Sequence, residues 1–80
     1  MSQPVRDGAT RPDWRPLQGH LAETKCSDFM WMYRHGVVHF YKHINTRRYL
    51  VLDGEGNCFR WANGELSIVD FELEYSRVTG

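Results

Sequence analysis

Residues 34–66 read RHGVVHFYKHINTRRYLVLDGEGNCFRWANGEL, and four turn signals divide this stretch into short segments rich in apolar and aromatic residues. The signals are His35-Gly36, residues 45–47 (NTR), residues 54–57 (GEGN) and Asn63-Gly64. Asn and Gly tolerate the positive φ angles that tight hairpin turns require. Because each segment between the turns has the length of a single strand, the pattern predicts a β-meander of consecutive antiparallel hairpins.

The lengths of the four loops decide which side chains share a face of the sheet, because a shift of one residue moves a whole apolar set to the other side. We predict loops of two, three, four and two residues at the four turn signals, in chain order. With these lengths the large apolar side chains fall on one core face: Phe29, Trp31, Tyr33, Val38, Phe40, Leu50, Leu52, Phe59, Trp61, Leu66 and Ile68. Five of them are expected to be among the most buried residues: Trp31, Phe40, Leu52, Phe59 and Trp61.

The apolar pattern changes phase after Leu66. Leu66 and Ile68 are apolar at even positions, whereas residues 69, 71, 73 and 75 are apolar at odd positions and alternate with acidic residues. A β-bulge near residues 68–70 accommodates both sets in one strand, and such a bend lets the last strand approach the first and close a small barrel. The alternative is a C-terminal helix after Gly64, which the strict period of two disfavours.

The segment before the strands has a different composition. Three prolines, a glycine and mixed charges in residues 1–16 predict an irregular, flexible segment that Trp14 anchors onto the domain. Residues 17–25 are predicted to form one or two helical turns, because Leu17 and Leu21 are four residues apart. Residues 17–80 then form a single small all-β domain, a five-stranded antiparallel meander that is strongly bent or closed like an SH3- or OB-type barrel.

The charges of the chain are balanced overall but unevenly distributed. Ten Lys and Arg oppose ten Asp and Glu, so the net charge is zero with His neutral, which argues against a generic electrostatic binder of nucleic acid. Residues 29–63 carry five cations against two carboxylates, and residues 64–80 carry one cation against four carboxylates. We expect neighbouring strands to pair these opposite charges.

Three features bear on the location of the protein. Cys26 and Cys58 are too few for a disulfide framework, so reduced thiols are expected. No apolar stretch is long enough to cross a membrane, and the N-terminus lacks the apolar core of a secretory signal. These features predict a soluble cytoplasmic protein without a membrane partner.

Patterns for catalysis and metal binding are weak. His35, His39 and His43 recur every four residues, but two His four residues apart on a strand are separated by ~13 Å and cannot bind one metal ion. Cys58 and His39 are predicted to lie two strands apart, too far for a nucleophile and its base. No glycine-rich phosphate loop is present, so we predict no cofactor, and a metal-binding or weakly enzymatic domain is the third interpretation of the chain.

The face opposite the predicted core combines aromatic, methionine and basic residues, with two further arginines at the second loop. This candidate binding site comprises Met30, Met32, Arg34, His39, Tyr41, Arg47, Arg48, Tyr49 and Arg60. Because Tyr, Met and Arg are enriched in protein interfaces, the pattern predicts a non-enzymatic protein–protein interaction module with a protein partner. Aromatic rings and cations also bind single-stranded RNA or DNA, which is the alternative function. A structural alternative is that Trp14, Leu17 and Leu21 cover this face and form a second core.

Overall fold

One antiparallel sheet organises residues 11–80, which are the residues that the structure, a computed structural model, describes. Its elements are α1 (Arg15–Gln18), α2 (Glu23–Cys26), β1 (Phe29–His35), β2 (Val38–His43), β3 (Tyr49–Asp53), β4 (Cys58–Ala62), β5 (Glu65–Val69) and α3 (Phe71–Thr79). The strands pair in the order β1-β2-β3-β4-β5, so the predicted five-stranded meander is confirmed. The predicted closure into an SH3- or OB-type barrel is wrong, because β1 and β5 lie at opposite edges of the sheet.

The N-terminal segment is briefly helical, as predicted, in the part that the structure describes. Two helices of four residues each, α1 and α2, precede the sheet, and α1 begins inside the segment that was predicted to be irregular. Pro16 lies in the first turn of α1, where a missing amide proton costs no helical hydrogen bond. The rest of the predicted irregular segment, residues 1–10, lies outside the described residues.

The turn between β1 and β2 is displaced by one residue from its predicted position. His35 pairs with Val38, so the two turn residues are Gly36 and Val37. Gly36 takes a φ of 66°, and a positive φ at the first turn position is what a type II′ turn requires. The predicted turn at His35-Gly36 would pair Tyr33 with Val38, and this pairing is therefore wrong.

A β-bulge in β1 changes which of its residues face the helices. The pairing register shifts between Trp31 and Tyr33, where Met32 is the extra residue. Trp31 pairs with Tyr41, and Tyr33 pairs with Phe40. Because adjacent residues of β2 face opposite sides of the sheet, Trp31 and Tyr33 lie on opposite faces, although both were predicted to lie on the core face.

The loop between β2 and β3 contains four residues, 44–47, where three were predicted. The amide of His43 donates to the carbonyl of Arg48 at 2.8 Å, and these two residues close the loop. The carbonyl of His43 accepts from the amide of Arg47 at 2.9 Å, and Arg47 takes a φ of 66°. This left-handed residue permits the longer loop, which moves β2 by one position relative to β3.

The loop between β3 and β4 is one residue shorter than predicted, because the side chain of Asp53 organises it. One carboxylate oxygen of Asp53 accepts from the amides of Glu55 and Asn57, both at 2.9 Å. The amide of Asp53 in turn donates to the carbonyl of Asn57 at 3.2 Å. Gly56 takes the positive φ of 91° that this three-residue loop needs.

The predicted turn at Asn63-Gly64 is confirmed. Its two residues have φ angles of 55° and 80°, as expected for a type I′ turn. Trp61 pairs with Leu66, and Phe59 pairs with Ile68, as predicted. Because Phe59 pairs with Val51 and not with Leu52, these four side chains lie on the face opposite to Leu50 and Leu52, away from the helices.

The C-terminal part of the chain is a helix. β5 ends at Val69, and α3 begins at Phe71. The predicted strand over residues 69–75, with a bulge near residues 68–70, is therefore wrong, and the helical alternative describes this segment. An alternation of apolar and polar residues over only a few positions does not distinguish a strand from a short helix, because some of the alternating apolar residues also share one face of a helix.

Two features explain why a helix forms here. Asp70 caps its N-terminus, because the carboxylate accepts from the amide of Leu73 at 3.1 Å. The apolar residues Phe71, Tyr75 and Val78 are spaced by four and three positions, so they share one face of a helix, and this face packs against the sheet.

Removal of the cap tests this explanation. We expect Asp70→Ala to lower the free energy of unfolding by about 1 kcal/mol, because the amide of Leu73 loses its acceptor. Asp70→Ser retains a capping oxygen and should lose much less. Urea denaturation followed by circular dichroism measures both losses, and equal losses in the two variants would contradict the capping role.

All three helices pack on one side of the sheet, which we call the helix face. Its strand residues are Phe29, Trp31, His39, Tyr41, His43, Leu50, Leu52, Cys58 and Arg60. Leu17 of α1, Cys26 of α2 and Val78 of α3 join these residues in the main core. Trp14 and Leu21 pack against the same core, so the predicted anchoring by Trp14 is confirmed. The structural alternative, in which Trp14, Leu17 and Leu21 cover the sheet, describes the helix face around Tyr41.

The other side of the sheet is called the outer face. Its residues are Met30, Tyr33, His35, Val38, Phe40, Lys42, Tyr49, Val51, Asp53, Phe59, Trp61, Leu66 and Ile68. The five residues predicted to be most buried divide between the two faces. Leu52 and Phe40 are buried, on opposite faces, and Trp31 and Phe59 are half-buried. Trp61 is 56% exposed, so its predicted place in the core is wrong.

Candidate interaction surface

The outer face carries an apolar cluster that residues 11–80 leave uncovered. Its centre consists of the buried residues Val38, Phe40 and Val51. The partly buried side chains that pack against this centre all belong to the sheet: Tyr49, Phe59 and Leu66. On the same face Trp61 is 56% exposed and Ile68 is 72% exposed. Contiguous exposed apolar surface of this kind is typical of an interaction site.

The aromatic rings of the outer face already contact one another. Tyr33 and Phe40 stack with their ring centroids 4.6 Å apart and their planes at 13°. Tyr49 meets Phe40 edge-on with a centroid distance of 6.4 Å, and Nζ of Lys42 lies 5.9 Å from the centroid of the Tyr49 ring. One side of the Tyr33 ring and one side of the Phe40 ring are therefore occupied within the domain itself.

A groove of about 450 Å³ lies on the outer face. Four aromatic residues, one valine and two arginines line it: Tyr33, Phe40, Arg48, Tyr49, Val51, Trp61 and Arg77. Nη1 of Arg48 donates to the carbonyl of Arg77 at 2.6 Å, so the start of β3 and the end of α3 meet at the groove. Among the described residues no carboxylate lines it, and its charged border is positive.

Arg77 belongs to an ion-pair cluster around the buried side chain of Glu74. The side chain of Glu74 is fully buried, and its carboxylate accepts from Nη2 of Arg60 at 2.7 Å and from Nη2 of Arg77 at 2.6 Å. Burial alone would raise the pKa of Glu74, but the hydrogen bonds from Arg77 and Arg60 outweigh it and hold the pKa below its ordinary value. One carboxylate thus serves two arginines, and the cluster keeps one net positive charge.

Two predicted site residues, Tyr41 and His39, are structural residues of the helix face. Tyr41 is fully buried, and its hydroxyl donates to the carbonyl of Asp13 at 2.6 Å. Burial raises the pKa of Tyr41 well above its ordinary value, so the hydroxyl stays protonated. Nδ1 of His39 accepts from Nε1 of Trp31 at 3.0 Å, and burial lowers the pKa of this imidazole.

The structure separates the remaining predicted site residues. Three belong to the outer face and its groove: Met30, Arg48 and Tyr49. Met32 lies in the bulge, Arg34 lies beside the β1–β2 turn, and Arg47 is exposed in the β2–β3 loop. Arg60 lies on the helix face and binds Glu74. Trp61 is the main residue of the surface that was predicted to lie in the core, because turn spacing carries no signal for the side of the sheet on which the helices pack.

A second cavity, of about 640 Å³, lies between α1 and the loops that follow β1 and β3. Two of its three carboxylates, those of Asp13 and Asp53, already have partners. Asp13 accepts from Nε and Nη2 of Arg15 at 2.9 and 2.7 Å, and these hydrogen bonds lower the pKa of Asp13 to about 2. The carboxylate of Asp53 binds its own loop. No Ser, Thr or Cys of the described part of the chain lines this cavity, so a nucleophile beside a base is missing there.

The two cysteines are buried thiols without a disulfide. Burial, and to a lesser extent the charge of Glu74, raise the pKa of Cys58 to about 11, so little thiolate forms at neutral pH. Within residues 11–80, no group of three or more His, Cys, Asp and Glu side chains is placed to hold a metal ion. In the same range no helix has both the length and the apolarity to cross a membrane.

Comparison of the chain with profiles of protein families, with curated proteins and with solved structures found no match. The chemistry of the outer face is therefore the basis on which a function is proposed.

Proposed function

We propose that this chain is a small protein–protein interaction module that binds a protein partner through its outer face. The observation that carries the proposal is the uncovered apolar cluster, because Trp61 and Ile68 lie exposed beside a packed apolar centre. A large aromatic residue on a rigid apolar surface, bordered by arginine, is the usual composition of a binding hot spot.

The other side of the sheet offers no comparable surface. Helices α1, α2 and α3 cover the helix face, where Tyr41, Leu50 and Leu52 are fully buried. The described residues also hold no set of catalytic groups with the required geometry, which favours binding over catalysis. The cytoplasmic location stays a prediction from the sequence.

Binding of single-stranded nucleic acid is a second candidate function. Lys42, Arg48 and Arg77 lie beside the aromatic rings of the outer face, and such combinations bind phosphates and bases. The ring geometry favours the protein partner, because Tyr33 and Phe40 stack on each other and present fewer free ring faces to bases. Exposed aliphatic side chains on the same face also suit protein side chains better than bases.

Two side chains of equal exposure provide a matched test. Ile68 on the outer face and Leu73 on α3 are each 72% exposed, so replacing either with Ser should change the free energy of unfolding by less than about 1 kcal/mol. We expect Ile68→Ser to reduce the yield of partner captured from an extract of the native host about tenfold, and Leu73→Ser to leave it unchanged. Quantitative mass spectrometry of the captured proteins measures the yield.

A loss of capture in both variants, or in neither, would contradict a site on the outer face. Treatment of the extract with RNase and DNase before capture separates the two candidate functions. Capture that survives the nucleases supports a protein partner, and capture that depends on intact nucleic acid supports the second candidate.

A further inference from the structure

We infer that the groove on the outer face recognises a short acidic peptide segment, in which an apolar side chain enters the groove and a neighbouring carboxylate binds Arg48. The inference rests on the proposed function, since it names the chemistry of the protein partner at the same site. It is carried by the charges of the groove, which are independent of the apolar cluster.

The groove has charges of one sign. Its charged lining residues are Arg48 and Arg77, and no Asp or Glu of residues 11–80 lines it. Lys42 adds a third cation, held 5.9 Å from the ring of the lining residue Tyr49. Within the described residues only Arg77 of these three forms a salt bridge, with Glu74. A partner that brings carboxylates would therefore complete the pairing of charges at this surface.

Arg48 is the best placed residue to bind such a carboxylate. Its side chain is exposed, and one of its N–H groups donates to the carbonyl of Arg77 at 2.6 Å. This hydrogen bond fixes the guanidinium group at the edge of the groove. The other N–H groups of Arg48 have no acceptor among the described residues, and the planar guanidinium geometry suits a bidentate carboxylate.

The lining of the groove suits an apolar side chain beside that carboxylate. Phe40 and Val51 are buried in it, whereas Tyr33 and Trp61 are each about half exposed. A partner side chain can therefore contact the exposed parts of Tyr33 and Trp61 without rearranging the buried residues below. A volume of about 450 Å³ accommodates one or two large side chains, which is the scale of a peptide segment.

The charges also decide between occupants. A second copy of this chain that docked the same face would bring its own Arg48 and Arg77 toward this groove, and like charges would face each other without carboxylates. A nucleic acid strand supplies anions, but the stacked pair of Tyr33 and Phe40 leaves fewer ring faces for its bases. An acidic peptide supplies both the anions and the apolar side chains.

A phage-displayed library of random peptides of about twelve residues tests the inference, because recognition of a segment needs no folded partner. The full chain is the bait, and the selected peptides are sequenced. We expect aromatic or aliphatic anchors close to Asp or Glu, with acidic residues enriched about threefold over the unselected library. Selection of neutral or basic peptides would overturn the inference.

Matched charge variants then locate the carboxylate site. Arg48→Gln should weaken the best acidic peptide about fivefold, and Lys25→Gln, which removes an exposed charge from α2 on the helix side, should change its Kd less than about twofold. Isothermal titration calorimetry gives each Kd, and thermal unfolding shows that each variant is folded. Equal effects of the two variants would overturn the role of Arg48.

The outcomes separate the inference from the proposed function. Trp61 is an exposed lining residue of the groove. Peptides with apolar anchors but no acidic residues, whose selection is lost with Trp61→Ser, would overturn the inference and leave the proposed function intact. Peptides whose selection is unaffected by Trp61→Ser would contradict both. Displacement of the acidic peptide by a short oligothymidylate or oligouridylate of lower Kd would identify a nucleic acid as the ligand and overturn the inference.

Discussion

Replacing Tyr41 with alanine should remove a large part of the stability of the domain. We expect the free energy of unfolding to fall by about 3–5 kcal/mol, because Tyr41 is fully buried at the centre of the helix face. Its ring lies 5.7 Å from that of Trp14, and its hydroxyl binds the carbonyl of Asp13, so its loss also releases the N-terminal segment. A domain of this size has a total stability of only about 5–10 kcal/mol.

Two matched variants isolate the causes of that loss. Tyr41→Phe removes only the hydrogen bond to Asp13 and should cost about 1 kcal/mol. Tyr33→Ala makes the same truncation on the outer face, where Tyr33 is 46% exposed and stacks on Phe40, and should also cost about 1 kcal/mol. Urea denaturation monitored by circular dichroism gives the three values. A similar cost for Tyr33→Ala and Tyr41→Ala would contradict the assignment of the two faces.

The sequence predicts the meander because its turn signals act locally. Asn63 and Gly64 both take a positive φ, and the β4–β5 hairpin that they close has the predicted register. The number of strands follows from the spacing of such signals. Local chemistry of this kind is visible in a single sequence.

The faces of the sheet depend on contacts that the spacing of turn residues does not reveal. Asp53 shortens one loop through hydrogen bonds to its backbone, and the left-handed conformation of Arg47 lengthens another. Met32 adds a bulge. Because each one-residue difference exchanges the faces of the strands that it joins, Leu50 and Leu52 were predicted on the face of Trp61, whereas they lie on the opposite face with Tyr41. The helices cover that opposite face, so the expectations that Tyr41 is exposed and Trp61 is buried are both wrong.

The sequence predicts the kinds of residue that line the groove, aromatic and basic, but it identifies only some of those residues. Arg48 and Tyr49 were named from the sequence, and both line the groove. Trp61, the most exposed aromatic residue of the outer face, was placed in the core instead. Whether a sheet face is covered depends on where the helices pack, and that is a property of the whole fold. The sequence therefore indicates an aromatic and basic surface without locating it.

The unequal distribution of charge along the chain has a structural counterpart. Opposite charges of residues 29–63 and 64–80 were expected to pair between strands, and Arg60 does pair with Glu74. The acidic partner lies on α3 rather than on a strand, because the last segment is helical. The pair therefore holds a helix against the sheet, and its removal should affect the packing of two layers.

The double replacement Arg60→Gln with Arg77→Gln should reverse the pH dependence of stability that Glu74 contributes. In the native protein the two guanidinium groups hold the pKa of Glu74 below its ordinary value. Its contribution is therefore present above the ordinary glutamate pKa of about 4.3 and is lost as the pH falls through the lower folded pKa. Without the arginines only burial remains, and burial raises the pKa of a carboxylate.

The double variant should therefore lose about 3 kcal/mol at pH 7, because it leaves a buried carboxylate without a cation. It should regain part of that loss as the pH falls toward about 5, since protonation neutralises the carboxylate. Glu74→Gln is the control, because it removes the titrating group and should abolish this site's pH dependence in either background. Urea denaturation at a series of pH values measures all four chains: the native protein, the double variant and Glu74→Gln in each background. A double variant that loses stability steadily on acidification would show that the two arginines do not set the charge state of Glu74.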